Sequence, residues 1–173
     1  MIQPIPQPTY RVIKNQDWMQ SWKQFYKPIK IGKKLLILPE WMDNSEKNRI
    51  AIRIDPSMAF GTGTHPTTQL CMRLLEELMP SGINVIDVGC GSGILSITAI
   101  KLGAKKALGV DLDYPSIVAT KKNADLNQVS DKIEVGLASV TEIREGKFSL
   151  MNAEMVVVNI LAPIIKRLFK NGL

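Results

Sequence analysis

No stretch of this 173-residue chain approaches the ~20 consecutive apolar residues that a helix needs to cross a bilayer. The N-terminus also lacks the basic, apolar and small-residue succession of a secretory signal. Cysteine is scarce. Cys71 and Cys90 have no metal-type spacing, so they read as free thiols in a reducing compartment, and a cytoplasmic location is expected. His65 is the single histidine, which leaves no His/Cys cluster and no expected metal. Internal repeats and low-complexity tracts are missing too, which excludes solenoids and arrays.

What is present suits one globular core: 45% hydrophobic and 22% charged residues at a single-domain length. The net charge of +6 is compatible with work near nucleic acid. Its basic groups are small, however: Lys30, Lys33 and Lys34; Lys101, Lys105 and Lys106; Lys121 and Lys122. Each reads more simply as a solvated helix face or strand end, so charge alone establishes no direct nucleic-acid binding.

The most informative stretch is 83–93, I-N-V-I-D-V-G-C-G-S-G. Ile83, Val85, Ile86 and Val88 form a short buried strand, and Gly89, Gly91 and Gly93 form a turn leading into a helix over Ile94–Leu102. Such a turn exposes backbone N–H groups beside a helix N-terminus and lets a ligand approach the main chain. A dinucleotide fingerprint would need glycine at position 94 or 96, where Ile94 and Ser96 stand instead. The spacing is G-x-G-x-G, preceded by Asp87, as in the first motif of S-adenosylmethionine-dependent methyltransferases. An acidic strand end suits that phosphate-free, sulfonium-bearing cofactor.

Asp111 follows Gly89 by 22 residues, at the end of the strand-like run A-K-K-A-L-G-V-D. This is the place of a ribose-binding acid in a βαβ unit, where a carboxylate can accept from both ribose hydroxyls. Upstream, Phe60, Gly61, Thr62 and Gly63 form a flexible segment. His65-Pro66-Thr67-Thr68 then opens a helix expected to bury Leu70, Leu74, Leu75 and Leu78 along one side. Downstream, Met155–Val158 reads as a strand with Asn159 at its carboxyl end.

In that order, F-G-T-G-T-H-P-T-T, D-V-G-C-G-S-G-I-L, G-V-D-L-D and V-V-V-N-I-L-A resemble the bacterial ribosomal protein L-eleven methyltransferase family (PrmA type), over about residues 10–170. The resemblance implies an α/β, Rossmann-like class I methyltransferase fold with a parallel sheet. It also implies S-adenosyl-L-methionine as cofactor and a large-subunit ribosomal protein as substrate, methylated on lysine side chains and the N-terminal amine. The matching positions imply cofactor contacts at Thr68, Gly89, Asp111 and Asn159, with Phe60, Gly61 and Thr62 close by and Asp87 and Gly91 in the same motif. Asn159 is also the candidate catalytic residue, a neutral acceptor able to hold an amine. Its motif resembles the Asn/Asp-Pro-Pro-Tyr of amine-directed methyltransferases, although Ile-Leu-Ala follows here. A same-fold methyltransferase acting on RNA or a small molecule, and an inactive cofactor-binding fragment, remain alternatives.

Residues 1–55 are expected to precede the catalytic domain as a linker helix and strand pair. Gln3–Pro8 is the linker, and a helix from Asp17 carries Trp18, Trp22, Phe25 and Tyr26. Ile29–Leu38 and Arg49–Ile54 are the strands, separated by the polar turn Asp43–Lys47. The family's small substrate-recognition domain is not seen. Residues 56–173 are expected to form a partial methyltransferase domain. Its four strands, about 83–88, 105–111, 132–137 and 155–159, compare with seven, ordered 3-2-1-4-5-7-6, in the fold it resembles. Truncation is therefore expected, with Met155–Val158 exposed as an edge.

Overall fold

The computed structural model describes residues 26–56 and 61–170. The Gln3–Pro8 linker, the helix expected from Asp17, its Trp18, Trp22 and Phe25, and Phe60 all lie outside the described residues.

The first sheet contains β1 (Ile29–Ile31), β2 (Leu35–Pro39) and β3 (Ile50–Ile54), with β1 antiparallel and β3 parallel to β2. The single strand expected over Ile29–Leu38 is thus a hairpin. Gly32 adopts a left-handed φ of 51°, turning the chain at Lys33 and Lys34. The N–H groups of Lys33 and Lys34 donate to the Glu76 carboxylate at 2.7 and 3.1 Å. A periodic reading could not foresee this break, because its acceptor lies 42 or more residues away.

The second sheet is built from β4 (Asn84–Val88), β5 (Lys106–Asp111), β6 (Ile133–Leu137) and β7 (Met155–Val158). All pairings are parallel and the order is β6-β5-β4-β7. Among the described residues, five α-helices accompany the strands: α1 (Pro66–Leu78), α2 (Ile94–Lys101), α3 (Tyr114–Leu126), α4 (Val140–Arg144) and α5 (Ala162–Lys170). This is the expected α/β, Rossmann-like arrangement, with the strand ends within a residue of those read from the sequence.

Helix α2 is apolar on all sides, so it must be enclosed. Every residue from Ile94 to Ile100 is buried, between β3 on one side and β4 and β5 on the other. Ile31, Leu35, Ile37, Ile52 and Ile54 of the first sheet join Val85, Ala107 and Ile133 of the second in one cluster, bridged by Met72, Leu75, Ile94 and Ile97. Asn127 of α3 adds a polar tie, accepting from Arg53 N at 2.9 Å and donating to Arg53 O at 2.7 Å. The boundary at residue 55 separates two sheets but not two cores.

One apolar face departs from expectation and another follows it. Helix α1 buries Thr68, Met72 and Leu75, while Leu70, Leu74 and Leu78 are exposed at 56%, 44% and 65%. The 3.6-residue period allows two overlapping apolar stripes here, and packing on β1 and α2 selects the one through Met72 and Leu75. Strand β7 pairs only with β4 among the described strands, and Val156 is 45% exposed. It is the exposed edge expected of Met155–Val158.

Candidate active site

From β4 the chain runs outward through β5 to β6, then returns to the other flank of β4 as β7. The order reverses at β4, which has β5 on one flank and β7 on the other, and the carboxyl ends at such a reversal are the usual ligand position of these sheets. A cleft of about 670 Å³ lies there, lined by His65, Thr67, Gly89, Gly91, Asp111, Ser116, Asn159, Ile160, Leu161, Ala162 and Ile164.

The glycine turn follows β4 directly. The N–H groups of Gly89 and Cys90 both donate to Val110 O, at 2.8 and 3.0 Å. Gly89 has a φ of 77°, and a Cβ on it would lie 2.3 Å from Ile160 Cγ2. Hydrogen alone fits between the turn and the chain leaving β7. Gly89→Ala is accordingly expected to destabilise the protein by about 1–3 kcal/mol, the range for overpacking, with Ile160 displaced from the cleft wall. Denaturant titration checks this, and a loss near zero would show that Ile160 yields without cost.

Asp111 ends β5 facing the same turn. Its Oδ2 accepts from Gly91 N at 2.9 Å and its Oδ1 from Asp113 N at 3.0 Å. Each carboxylate oxygen has a second lone pair, so the group retains acceptor capacity toward the cleft. At the opposite wall, Asn159 Nδ2 donates to Thr68 Oγ1 at 3.1 Å, bridging positions 91 residues apart. Thr68 is 1% exposed in the first turn of α1. The bond orients the Asn159 amide and leaves its Oδ1 as the acceptor end.

The profile of the family Ribosomal protein L11 methyltransferase (PrmA) matches residues 3–172. The chain belongs to this family. A ribosomal protein L11 methyltransferase from Mannheimia succiniciproducens is 45% identical over 157 residues, which cover 91% of this chain and 52% of the relative. One from Vibrio parahaemolyticus is 46% identical over 168 residues, 92% of this chain and 55% of the relative. A crystal structure of ribosomal protein L11 methylase from Lactobacillus delbrueckii subsp. bulgaricus superposes with a TM-score of 0.73 at 38% identity, covering 84% of this chain and 72% of that one. The chain spans about half the length of the curated relatives it matches.

Within this PrmA-family site, the residues singled out from the sequence fall into three groups. Gly89, Gly91, Asp111 and Asn159 line the cleft, and Thr68 holds Asn159 from behind. Gly61 and Thr62 are not among the lining residues; the carbonyl of Gly61 accepts from Ser92 Oγ at 2.7 Å, beside the glycine turn. Phe60 is outside the described residues. Sequence reading missed Ser116, the Leu161 and Ala162 part of the wall, and a second cavity of about 200 Å³ adjoining Asp111. That cavity is walled mainly by apolar residues, among them Val88, Val110, Leu112, Ala138, Val140 and Leu168. The N-I-L-A run was visible, but only the fold shows that it crosses Gly89.

Asp87 does not reach the cleft. It is 1% exposed, and its Oδ2 accepts from Ser96 N at 3.1 Å and Ser96 Oγ at 2.7 Å. Gly93 is the N-cap of α2 and offers no side-chain acceptor, so Asp87 supplies one from the neighbouring strand to an otherwise unpaired helix donor. Its Oδ1 is buried without a partner. Desolvation pushes the carboxyl up to about 6, against the pull of the Ser96 hydrogen bonds.

A carboxyl near 3.9 when unfolded and about 6 when folded binds its proton more tightly in the native state. The stability linked to Asp87 is present below pH 4 and lost as pH rises to 6, by an amount on the order of 3 kcal/mol. Asp87→Asn keeps an acceptor for Ser96 and removes the titration. Its melting temperature is expected to change less than the parent's between pH 4 and 6. Parallel curves would refute the assignment.

Neither thiol is poised as a nucleophile. Burial raises the Cys90 thiol to about 12 and pushes the half-buried Cys71 upward as well.

Proposed function

We propose that this chain carries the cofactor site and amine-orienting residue of a cytoplasmic protein N-methyltransferase. Its cofactor is S-adenosylmethionine, and its substrates are lysine side-chain and N-terminal amines of a large-subunit ribosomal protein. The observation that supports this most directly is the Asn159–Thr68 pair, held across one cleft from Gly89, Gly91 and Asp111. Among the described residues, no lysine or arginine lines the cleft or the adjoining cavity. That lining fits a cofactor with a ribose, a cationic centre and no phosphates.

Asp111 is assigned to the ribose hydroxyls through the lone pairs that Gly91 and Asp113 leave open. The apolar cavity beside it, walled by Leu112, Ala138 and Val140, fits a flat purine ring. When bound, the cofactor supplies an electrophilic methyl group on a sulfonium centre.

The acceptor amine must be neutral to use its lone pair. For a lysine of pKa ~10.4 this costs about 4 kcal/mol at neutral pH, and for an α-amine of pKa ~8 about 1 kcal/mol. Ile160, Leu161 and Ile164 form an apolar wall that disfavours an ammonium and reduces this cost. Asn159 Oδ1 can accept one amine N–H without stabilising a positive charge as a carboxylate would, which turns the lone pair into the cleft. This step requires no dedicated general base; the proton leaves after the nitrogen has been methylated.

The deciding experiment is incubation with methyl-labelled S-adenosylmethionine and ribosomes from cells lacking this methylation. Label in one large-subunit protein, lost when its lysines and N-terminus are blocked, is the expected result. Label confined to ribosomal RNA would overturn the substrate assignment.

A further inference from the structure

Beyond Ser116, which lines the cleft, helix α3 meets the glycine turn with two side chains that do not line it. Thr120 and Asn123 are both fully buried and lie one turn apart. Thr120 Oγ1 donates to Gly91 O at 2.9 Å, and Asn123 Nδ2 donates to Ser92 O at 2.8 Å. The turn is therefore held by its carbonyls from α3 while Asp111 holds the Gly91 N–H.

Asn123 has a second partner. Its Oδ1 accepts from Asp55 N at 2.9 Å, where β3 ends and the chain heads toward Gly61. Ser92 closes the circuit, donating from Oγ to Gly61 O. Asp55, Asn123, Ser92 and Gly61 thus form a loop of hydrogen bonds joining two segments that lie more than 30 residues apart. Asn127, one turn further along, makes a similar bridge to Arg53 and touches neither segment of the turn.

We propose that Asn123 is a positioning residue that locks the glycine turn to Asp55 at the end of β3, with Ser92 extending the tie to Gly61. Cofactor affinity then depends on a side chain that does not line the cleft. The amide suits this role because it offers a donor and an acceptor at once, one for each segment. Enclosed by protein, it cannot exchange either bond for water. The link to affinity rests on the proposed cofactor site; the locking itself does not.

Asn127→Ala is the built-in control, since it removes the same amide from the same helix while sparing the turn. Asn123→Ala and Asn127→Ala are expected to lower the melting temperature by similar amounts. Only Asn123→Ala should weaken S-adenosylmethionine binding, by about tenfold, as for one lost buried hydrogen bond. Amide hydrogen exchange provides a readout that needs no ligand. Asn123→Ala should speed exchange at the Asp55 N–H, which donates to Asn123 Oδ1, and at 91–93 beyond its effect on global unfolding, and Asn127→Ala at neither.

Ser92→Ala cuts only the tie to Gly61, and it is expected to speed exchange at 91–93 even if Asn123→Ala fails to fold. Exchange in both segments that merely follows the melting temperature, equally in the Asn123 and Asn127 variants, would overturn the proposal. A parent protein that binds no S-adenosylmethionine but shows the selective exchange would instead overturn the cofactor assignment and leave the lock standing.

Discussion

Asn159→Ala is expected to reduce turnover by about a hundredfold, the scale of losing orientation at a reacting centre. Cofactor affinity should fall far less. The bond from Asn159 Nδ2 to Thr68 Oγ1 fixes which end of the amide faces the cleft, so removing the side chain removes the oriented acceptor while the Asp111 and glycine-turn contacts remain. Single-turnover kinetics with saturating S-adenosylmethionine separate the two effects. Thr68→Val should reproduce a milder version, because Asn159 then keeps its acceptor but loses the partner that aims it. Equal losses in turnover and affinity would make Asn159 a cofactor ligand alone.

Asp111→Ala is expected to weaken S-adenosylmethionine binding by about 1.5–3 kcal/mol, the range for hydrogen bonds to a charged group. Two losses combine. The ribose hydroxyls would lose the acceptor proposed for them, and Gly91 N loses the carboxylate that holds it at 2.9 Å. The protein should remain folded, because Asp111 ends its strand half-buried at the cleft rim and contributes nothing to the apolar clusters. Asp111→Asn, which keeps one acceptor oxygen, should fall between parent and alanine variant. Calorimetry on folded protein checks both, and unchanged affinity in Asp111→Ala would refute the assignment.

The parts of this site that could be read from the chain share a physical origin in local backbone chemistry. A glycine turn after a buried strand, an acid at the next strand end and an asparagine after a third each declare themselves within a dozen residues. Their convergence follows from the parallel order β6-β5-β4-β7, which brings the ends of β4, β5 and β7 together. Asp87 shows the opposite case. Its motif position suggested a cofactor ligand, yet its side chain turns inward to cap α2, because Gly93 leaves that helix without a side-chain acceptor.

The sequence by itself determined the α/β class, the strand ends of the second sheet and the glycine turn, since periodicity, glycine spacing and strand-end acids are short-range properties of a chain, and its motifs carried the resemblance to the family. Tertiary structure alone decided which stripe of α1 is buried, that Ile29–Leu38 folds back at Gly32, and that Ile160 presses on Gly89. It alone paired Asn159 with Thr68 and Asn123 with both Asp55 and Ser92. Each of these depends on partners tens of residues away. A side chain's own neighbours in sequence carry no information about the distant donor or methyl group that will meet it, so such choices are made only when the core closes.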